Sequence, residues 1–258
     1  MRLRYAGACC ECGTALPAGG EAIYDRTNKT VHCIECPSGA AAAAPDSGTA
    51  GASARREHER RKTAREERIR ADHAKLGGLI LALTDDPQST RAWERGAIGE
   101  EIMANRLTDL PESFRVLHDR RVPGSRANID HIVVGSTGVW VIDAKRYKDR
   151  RPSLHVEGGI IRPRVESLRI GGRDGTKLVD GVRGQVERVA SVSGEGVPVT
   201  GVLCFVEADW PMIGGSFRVN DIEVVWPRLL VKRITEASTV PIDVDAVHAR
   251  LAGHFPVA

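Results

Sequence analysis

Aromatic side chains are scarce in this sequence, and long apolar runs are missing. The 258 residues include only four Trp, three Tyr and four Phe, and these do not alternate with basic residues as an extended base-stacking surface would require. No stretch approaches the roughly 18 consecutive apolar residues of a membrane helix, and the N-terminus lacks the continuous apolar segment of a signal peptide. We therefore expect a cytoplasmic protein without a membrane partner.

The chain also lacks a strong excess of charge of either sign. Its formal net charge is +3, which is too small to identify a partner. Charge is concentrated between Ser53 and Lys75, where nine Lys/Arg stand beside five Asp/Glu and Glu–Arg pairs recur at helical spacing. This segment predicts an exposed helix. A solvated connecting helix is the simpler interpretation, and a nucleic-acid contact is the alternative.

The cysteines are unevenly placed, with five of the six in the first 36 residues. Two C-x2-C pairs, separated by 20 residues, are typical of a structural Zn²⁺ site with four thiolate ligands. Metal ligation would supply the folding energy that so small a module cannot obtain from a core. We therefore predict a zinc-ribbon-like module whose ligands are Cys9, Cys12, Cys33 and Cys36.

Two neighbours leave the ligand assignment of this module open. Either Cys10 or His32 could replace one of the four cysteines, although the regular spacing favours Cys10 as a free thiol. Gly13 directly follows the first pair, where a residue without a Cβ allows the backbone to turn tightly.

Composition divides the chain into successive segments. A run rich in Ala, Gly, Ser and Pro reads as a flexible linker, and an α/β pattern follows from about Trp93. The α/β pattern predicts a helix, three strands, a small hairpin, a second helix, two strands and a helix that begins at Pro227. The predicted segments are a zinc module at 1–36, a linker at 37–54, a charged helical connector at 55–88, an α/β domain at 89–235 and a C-terminal extension at 236–258.

The clearest element is a hairpin with the sequence NIDHIVVGSTGVWVIDAK. If Ser136 and Thr137 form a two-residue loop, the numbers of paired residues sum to 273. Asp130 then lies opposite Asp143, and side-chain alternation places Lys145 on the same face. An apolar sheet face would thus end in two acids and one lysine.

Two carboxylates that face each other across a hairpin repel, which disfavours the fold. A divalent cation between them would remove the repulsion, and oxygen ligands suit Mg²⁺ or Mn²⁺. A neighbouring lysine could then orient or help to deprotonate a water nucleophile. The alternative is a surface cluster in which Lys145 only neutralises the two acids.

The wider pattern resembles a known family. GAIGEE on the first predicted helix, then NIDHIVV, then GVWVIDAKRY, is similar to the nuclease-related domain (NERD) family, which is placed in the PD-(D/E)xK superfamily with its restriction-endonuclease-like α/β fold. The resemblance runs from about Trp93 to at least Val206. It implies a core made of a mixed central sheet flanked by helices.

The resemblance also implies roles for particular residues. Asp130 and Asp143 would bind the catalytic metal, Lys145 would be the catalytic lysine, and Glu100 would complete the acidic site. Glu101 is an alternative to Glu100. A second-helix Gln near the site is common in related nucleases and matches Gln185.

Taken together, we predict a Mg²⁺- or Mn²⁺-dependent nuclease whose partner is nucleic acid, with DNA favoured over RNA. Enzymes that cut both strands often act as pairs, so a homodimer is an open alternative. A non-catalytic nucleic-acid-binding or adaptor protein that uses the zinc module and the basic helix is the competing hypothesis.

Overall fold

The computed structural model describes residues 1–10, 13–25, 29–34, 45–73, 88–159, 162–212 and 215–258. The chain divides into two compact units, Met1–Pro45 and Asp46–Ala258. None of the helices in these described ranges is both long enough and apolar enough to span a membrane.

The N-terminal unit consists of two small antiparallel ladders. Strands β1 (Gly7–Ala8) and β2 (Ala15–Leu16) pair, and so do β3 (Ala22–Asp25) and β4 (Thr30–Cys33). Its small core contains the two described cysteines of the predicted zinc site, in the cluster Cys9, Leu16, Ala22 and Cys33.

The second unit contains the charged helix near its start and a short helix near its end. Its helices are α1 (Ala52–Asp72), α2 (Gln88–Leu107), α3 (Thr176–Ser193), α4 (Pro227–Glu236) and α5 (Val244–His254). Its strands are β5 (Arg115–Arg121), β6 (Asn128–Gly135), β7 (Gly138–Lys145), β8 (Pro152–Glu157), β9 (Val165–Ile170), β10 (Arg173–Asp174), β11 (Val199–Phe205), β12 (Phe217–Val219) and β13 (Ile222–Val225).

Six strands form a mixed central sheet in the order β12-β13-β11-β7-β6-β5. Strands β5, β6 and β7 form an antiparallel meander, whereas β11 runs parallel to both β7 and β13. The parallel pair is reached through the crossover helix α3, because parallel neighbours cannot be joined by a short turn. This arrangement confirms the predicted α/β class with a mixed central sheet.

Helices cover both faces of this sheet. Residues of α2 and α4, such as Met103 and Leu230, pack on one face against Trp140 and Ile142. The apolar side chains of the β6–β7 hairpin on the other face are Ile132, Val134, Val139 and Val141. Val189 of α3 and Val247 and Leu251 of α5 pack against them. Burial on both faces explains why β6 and β7 are almost continuously apolar.

The predicted register of the β6–β7 hairpin is confirmed from its turn to its middle. Gly135 pairs with Gly138 and His131 pairs with Ile142, so paired numbers sum to 273 as expected. Gly138 has φ +103°, and a Cβ there would lie 2.7 Å from the carbonyl oxygen of Pro198. A glycine is therefore required at this end of the turn.

Two elements differ from the expectation. The predicted strand at Ile160–Arg164 lies partly outside the described residues, and the second strand of the small hairpin is β9, which pairs with β8 and β10. Helix α5 was not predicted within the C-terminal extension, although Asp243 caps it by accepting from the amide of Ala246 at 3.0 Å.

Candidate active site

The acidic residues of the hairpin lie at its open end, away from the turn. The last paired residues before them are His131 and Ile142. Beyond that pair, the Oδ2 atom of Asp130 accepts a hydrogen bond from the backbone N–H of Ala144 at 2.9 Å. A side-chain oxygen thus takes the donor that a backbone carbonyl would take in a continued ladder.

Lys145 forms an ion pair with Asp143, contacting its Oδ1 atom. Asp143 itself is buried, with only 8% of its surface exposed. Burial alone would lower the pKa of Lys145, but the charges of Asp143 and Asp130 and the hydrogen bond to Asp143 outweigh it and raise the pKa above its ordinary value. The lysine is therefore a cation in the folded protein.

Asp130 is surrounded by like charge. Burial, followed by the charges of Glu100 and Asp143, raises the pKa of Asp130 well above the ordinary range. The charge of Lys145 and the hydrogen bond from the Ala144 N–H offset this only in part. The cluster holds more negative charge than Lys145 can neutralise. An additional cation would relieve this excess, so the oxygen donors of Asp130, Asp143 and Glu100 fit a hard divalent ion.

Glu100 lies on α2 and is nearly buried. Its Oε2 atom accepts a hydrogen bond from the backbone N–H of Gly51, just before α1, at 3.0 Å. Burial and the nearby charge of Asp119 raise the pKa of Glu100 to about 7. Glu101, the alternative, instead forms an ion pair with Arg55 on α1.

Gln185 on α3 reaches the first residue of β6. Its Nε2 atom donates to the carbonyl oxygen of Asn128 at 3.1 Å. Its Oε1 atom is buried and has no hydrogen-bond partner among the described residues.

All five predicted catalytic residues line one cleft of about 1140 Å³. The described residues contain no group of three or more His, Cys, Asp or Glu side chains already arranged as a metal site. The structure thus brings together Glu100, Asp130, Asp143, Lys145 and Gln185, and their catalytic roles stay predictions.

A fourth acid in the cleft, Asp119 on β5, was not predicted from the sequence. The flanking pairs His118–His131 and Arg120–Ile129 place it level with Asp130 on the adjacent strand. Three acids therefore stand in a row across β5, β6 and β7. Asp119 is buried and has φ +47°, a conformation that costs a non-glycine residue about 1 kcal/mol or more.

The carboxylate of Asp119 is fully engaged by α1 and β6. It accepts from the N–H of Ser53 at 2.6 Å and from the Ser53 hydroxyl at 2.7 Å. It also accepts from the Asn128 amide at 3.1 Å. Ser53 and Gly51 lie in the segment predicted as a linker, so the start of α1 contributes donors to two acids of the cleft.

Basic side chains surround the acidic residues of the cleft. Five of them form no ion pair among the described residues, in contrast to Arg146, which pairs with Glu207. All five are exposed: Arg95, Arg126, Lys148, Arg150 and Arg173.

The predicted zinc module is described only in part. Cys12 and Cys36 lie outside the described residues, so the four-cysteine site is neither shown nor contradicted. Of the other two ligands, Cys33 donates its backbone N–H to the Sγ atom of Cys9 at 3.3 Å. Gly13 has φ +71° and donates to the carbonyl of Cys9, which confirms the predicted tight turn.

The alternative ligands of this module lie together. The Sγ atom of Cys10 is 3.3 Å from the Nδ1 atom of His32. The structure therefore leaves the choice between these two and the regular spacing open.

Comparison with known proteins supports the resemblance for part of the chain. Residues 95–206 match the family model of the nuclease-related domain, NERD. A segment of 58 residues is 40% identical to an uncharacterized protein of Bacillus anthracis, covering 21% of this chain and 27% of that protein. No solved structure matches the chain. The part of the chain that is similar to the nuclease-related domain, residues 95–206, holds all five predicted catalytic residues.

Proposed function

We propose that the second unit is a Mg²⁺- or Mn²⁺-dependent nuclease of the PD-(D/E)xK type that hydrolyses phosphodiester bonds, with DNA as the favoured substrate. The observation that carries this proposal is the grouping of Asp130, Asp143 and Lys145 at the open end of the β6–β7 hairpin, inside a cleft. The match to a nuclease-related domain over the same residues supports it.

Asp130 and Asp143, with Glu100, would hold the metal ion. Each aspartate has one oxygen engaged by protein, Asp130 by the Ala144 N–H and Asp143 by Lys145, which leaves a second oxygen for a ligand. When bound there, Mg²⁺ would supply positive charge that activates water and stabilises the phosphate in the transition state.

Lys145 would stabilise negative charge, since its raised pKa keeps it protonated. A protonated ammonium donates hydrogen bonds and cannot accept a proton. Between the two mechanisms left open by the sequence, this favours orientation of the water or phosphate over removal of a proton. Gln185, whose Oε1 atom has no hydrogen-bond partner in the part of the chain that the structure describes, would orient the attacking water.

The exposed basic side chains that line the cleft support a polyanionic substrate. Arg and Lys side chains that form no ion pair within the described parts of the chain are available to phosphate groups. Such contacts position a nucleic acid regardless of its sequence. For the N-terminal unit we propose a structural Zn²⁺ held by four cysteines. The N–H···S contact from Cys33 to Cys9 supports this, because such donors orient thiolate ligands.

The test is cleavage of plasmid, linear duplex, single-stranded DNA and RNA by the full chain in Mg²⁺, Mn²⁺ or EDTA. Lys145→Ala protein from the same purification serves as the control for contaminating nucleases. The proposal requires metal-dependent cleavage by the parent that the variant lacks. Equal cleavage by both proteins would refute the site. Metal-independent binding without cleavage would favour the adaptor hypothesis.

A further inference from the structure

The side chain of Trp93 is exposed at the surface of the cleft. Trp93, in the first half of α2, lines the cleft and is 40% exposed, whereas Trp140 is buried in the core. Single exposed apolar side chains are common on protein surfaces, but a tryptophan that lines a cleft offers a ligand a large flat apolar face.

The ring of Trp93 is held from one side. The guanidinium of Arg61 on α1 lies 5.6 Å from its centroid, in a cation–π contact. This contact restrains the ring, whose exposed part is available at the cleft that Trp93 lines. A restrained flat ring loses little freedom when a second flat group stacks on it.

The surroundings of Trp93 define the chemistry of that second group. Arg95 and Arg126 line the same cleft and form no ion pair with any residue that the structure describes. The acids of the proposed metal site lie within this cleft. A ligand that satisfies all three features carries a phosphate for the metal site, further phosphates for the arginines, and a flat apolar ring for Trp93. A nucleotide with its base unpaired has this composition.

We propose that Trp93 stacks on an unpaired base next to the cleaved phosphodiester, so that the cleft takes a single-stranded or frayed nucleic-acid segment. This inference rests on the proposed function. In an intact duplex both faces of each base are covered by neighbouring bases, so a side chain gains a stacking partner only at an end or at an extruded base. A paired substrate would leave the Trp93 ring without a partner.

The competing explanation is that Trp93 only joins α1 to α2 through Arg61. The two explanations differ in what each variant does. Trp93→Leu keeps apolar bulk but removes the aromatic face, and Trp93→Phe keeps a smaller face. Arg61→Met removes the cation–π contact and keeps the tryptophan.

The experiment measures binding of one fluorescent sequence as single-stranded DNA, as single-stranded RNA and as blunt duplex DNA, at low salt in Ca²⁺. We expect Trp93→Leu to weaken single-strand binding about 10-fold or more and to leave duplex binding nearly unchanged. Trp93→Phe should retain most of the single-strand affinity, and Arg61→Met should retain more than Trp93→Leu. The two single-stranded arms report whether DNA or RNA supplies the unpaired base.

Three results would overturn the inference while leaving the proposed function intact. They are equal weakening of single-strand and duplex binding, no weakening by Trp93→Leu, or an equal loss in Arg61→Met. Absence of any nucleic-acid binding by the folded parent would instead refute the proposed function, and the inference with it.

Discussion

The two ends of the β6–β7 hairpin differ in strand pairing and in the polarity of their side chains. At the turn, Gly135 and Gly138 close a fully paired ladder whose side chains are buried and apolar. At the open end, the ladder stops and Asp130, Asp143 and Lys145 enter the cleft. The turn end satisfies every requirement of a stable sheet, whereas the open end places like charges close together at low exposure.

This contrast indicates that the turn end serves the stability of the sheet and that the open end serves the proposed activity. Carboxylates that are crowded together by burial destabilise a fold unless a ligand neutralises them. The raised pKa of Asp130 has this cause. The presence of these carboxylates at the end of a central hairpin that is covered by helices on both faces is expected for a site that a rigid scaffold must hold in place. Substitutions at the two ends should therefore separate activity from stability.

The largest effect is expected from Asp143→Asn at the open end. The substitution keeps size and hydrogen-bonding capacity but removes one charge proposed to hold the metal. We expect cleavage to fall by roughly 10²- to 10³-fold, which is typical when one electrostatic contributor is removed, with a melting temperature at or above that of the parent. Initial rates and thermal melts on one preparation measure both. A variant that cuts at the parental rate would show that Asp143 has no part in the reaction.

At the turn end, Gly138→Ala should do the reverse. The added Cβ would meet the Pro198 carbonyl oxygen at 2.7 Å in a backbone conformation that alanine rarely adopts. We expect a loss of about 3 kcal/mol in the free energy of unfolding, measured by urea denaturation. Cleavage per folded molecule should stay parental. Gly181→Ala on α3, where nothing lies within 4 Å of the new Cβ, is the matched control and should not destabilise.

A smaller effect concerns the pH dependence of stability. The pKa of Glu100 is raised to about 7 in the folded protein, so the folded state holds this proton more tightly than the unfolded state. The contribution of Glu100 is therefore most favourable below about pH 4.5 and is lost as pH rises through 7. In metal-free buffer, we compare the free energy of unfolding of Glu100→Gln with that of the parent. As the pH rises from 4.5 to 8, this difference should shift in favour of the variant by about 2 to 3 kcal/mol.

Glu101→Gln is the control for this pH effect, because Glu101 is more exposed and is paired with Arg55. Its stability should follow the parental pH dependence. If instead Glu101→Gln flattens the pH dependence and Glu100→Gln does not, the neighbouring residue is the acid of the cleft.

The smallest effect is expected from Ser53→Ala, which removes the hydroxyl bond to Asp119 and to Asn128. We expect a loss of about 1 kcal/mol in the free energy of unfolding and a several-fold lower cleavage rate at unchanged substrate KM. Ser53→Thr should restore both, since it retains the hydroxyl. Parental values in Ser53→Ala would show that the start of α1 does not support the acidic site.

The sequence predicted the parts of this site that depend on local pattern. Alternation and the two-residue turn sufficed for the hairpin register, and hence for the proximity of Asp130 to Asp143. Asp119 could not be found in this way, because its place beside Asp130 depends on the pairing of β5 with β6, which no short turn specifies. Ser53 and Trp93 reach the cleft only through tertiary packing of α1 and α2.

Other differences have local physical causes. The sequence predicts the second strand of the small hairpin at Ile160–Arg164, because Ile160 and Ile161 are β-branched. The strand in the structure is β9, Val165–Ile170, which contains Glu166 and Arg169 and is positioned by its pairing with β8. Helix α5 did carry a signal that was overlooked: a capping Asp243 before Val244, Val247 and Leu251, which lie on one helical face.

The most direct test of the account compares Lys145→Met with Lys148→Met in one metal-dependent cleavage assay. Both variants lose one positive charge from the same cleft, but only Lys145 contacts Asp143 at the open end of the hairpin. The account predicts nearly complete loss of Mg²⁺-dependent cleavage in Lys145→Met and a modest, salt-dependent loss in Lys148→Met, with both proteins folded. Equal activity in the two variants would contradict the claim that the open end of the hairpin is the catalytic site.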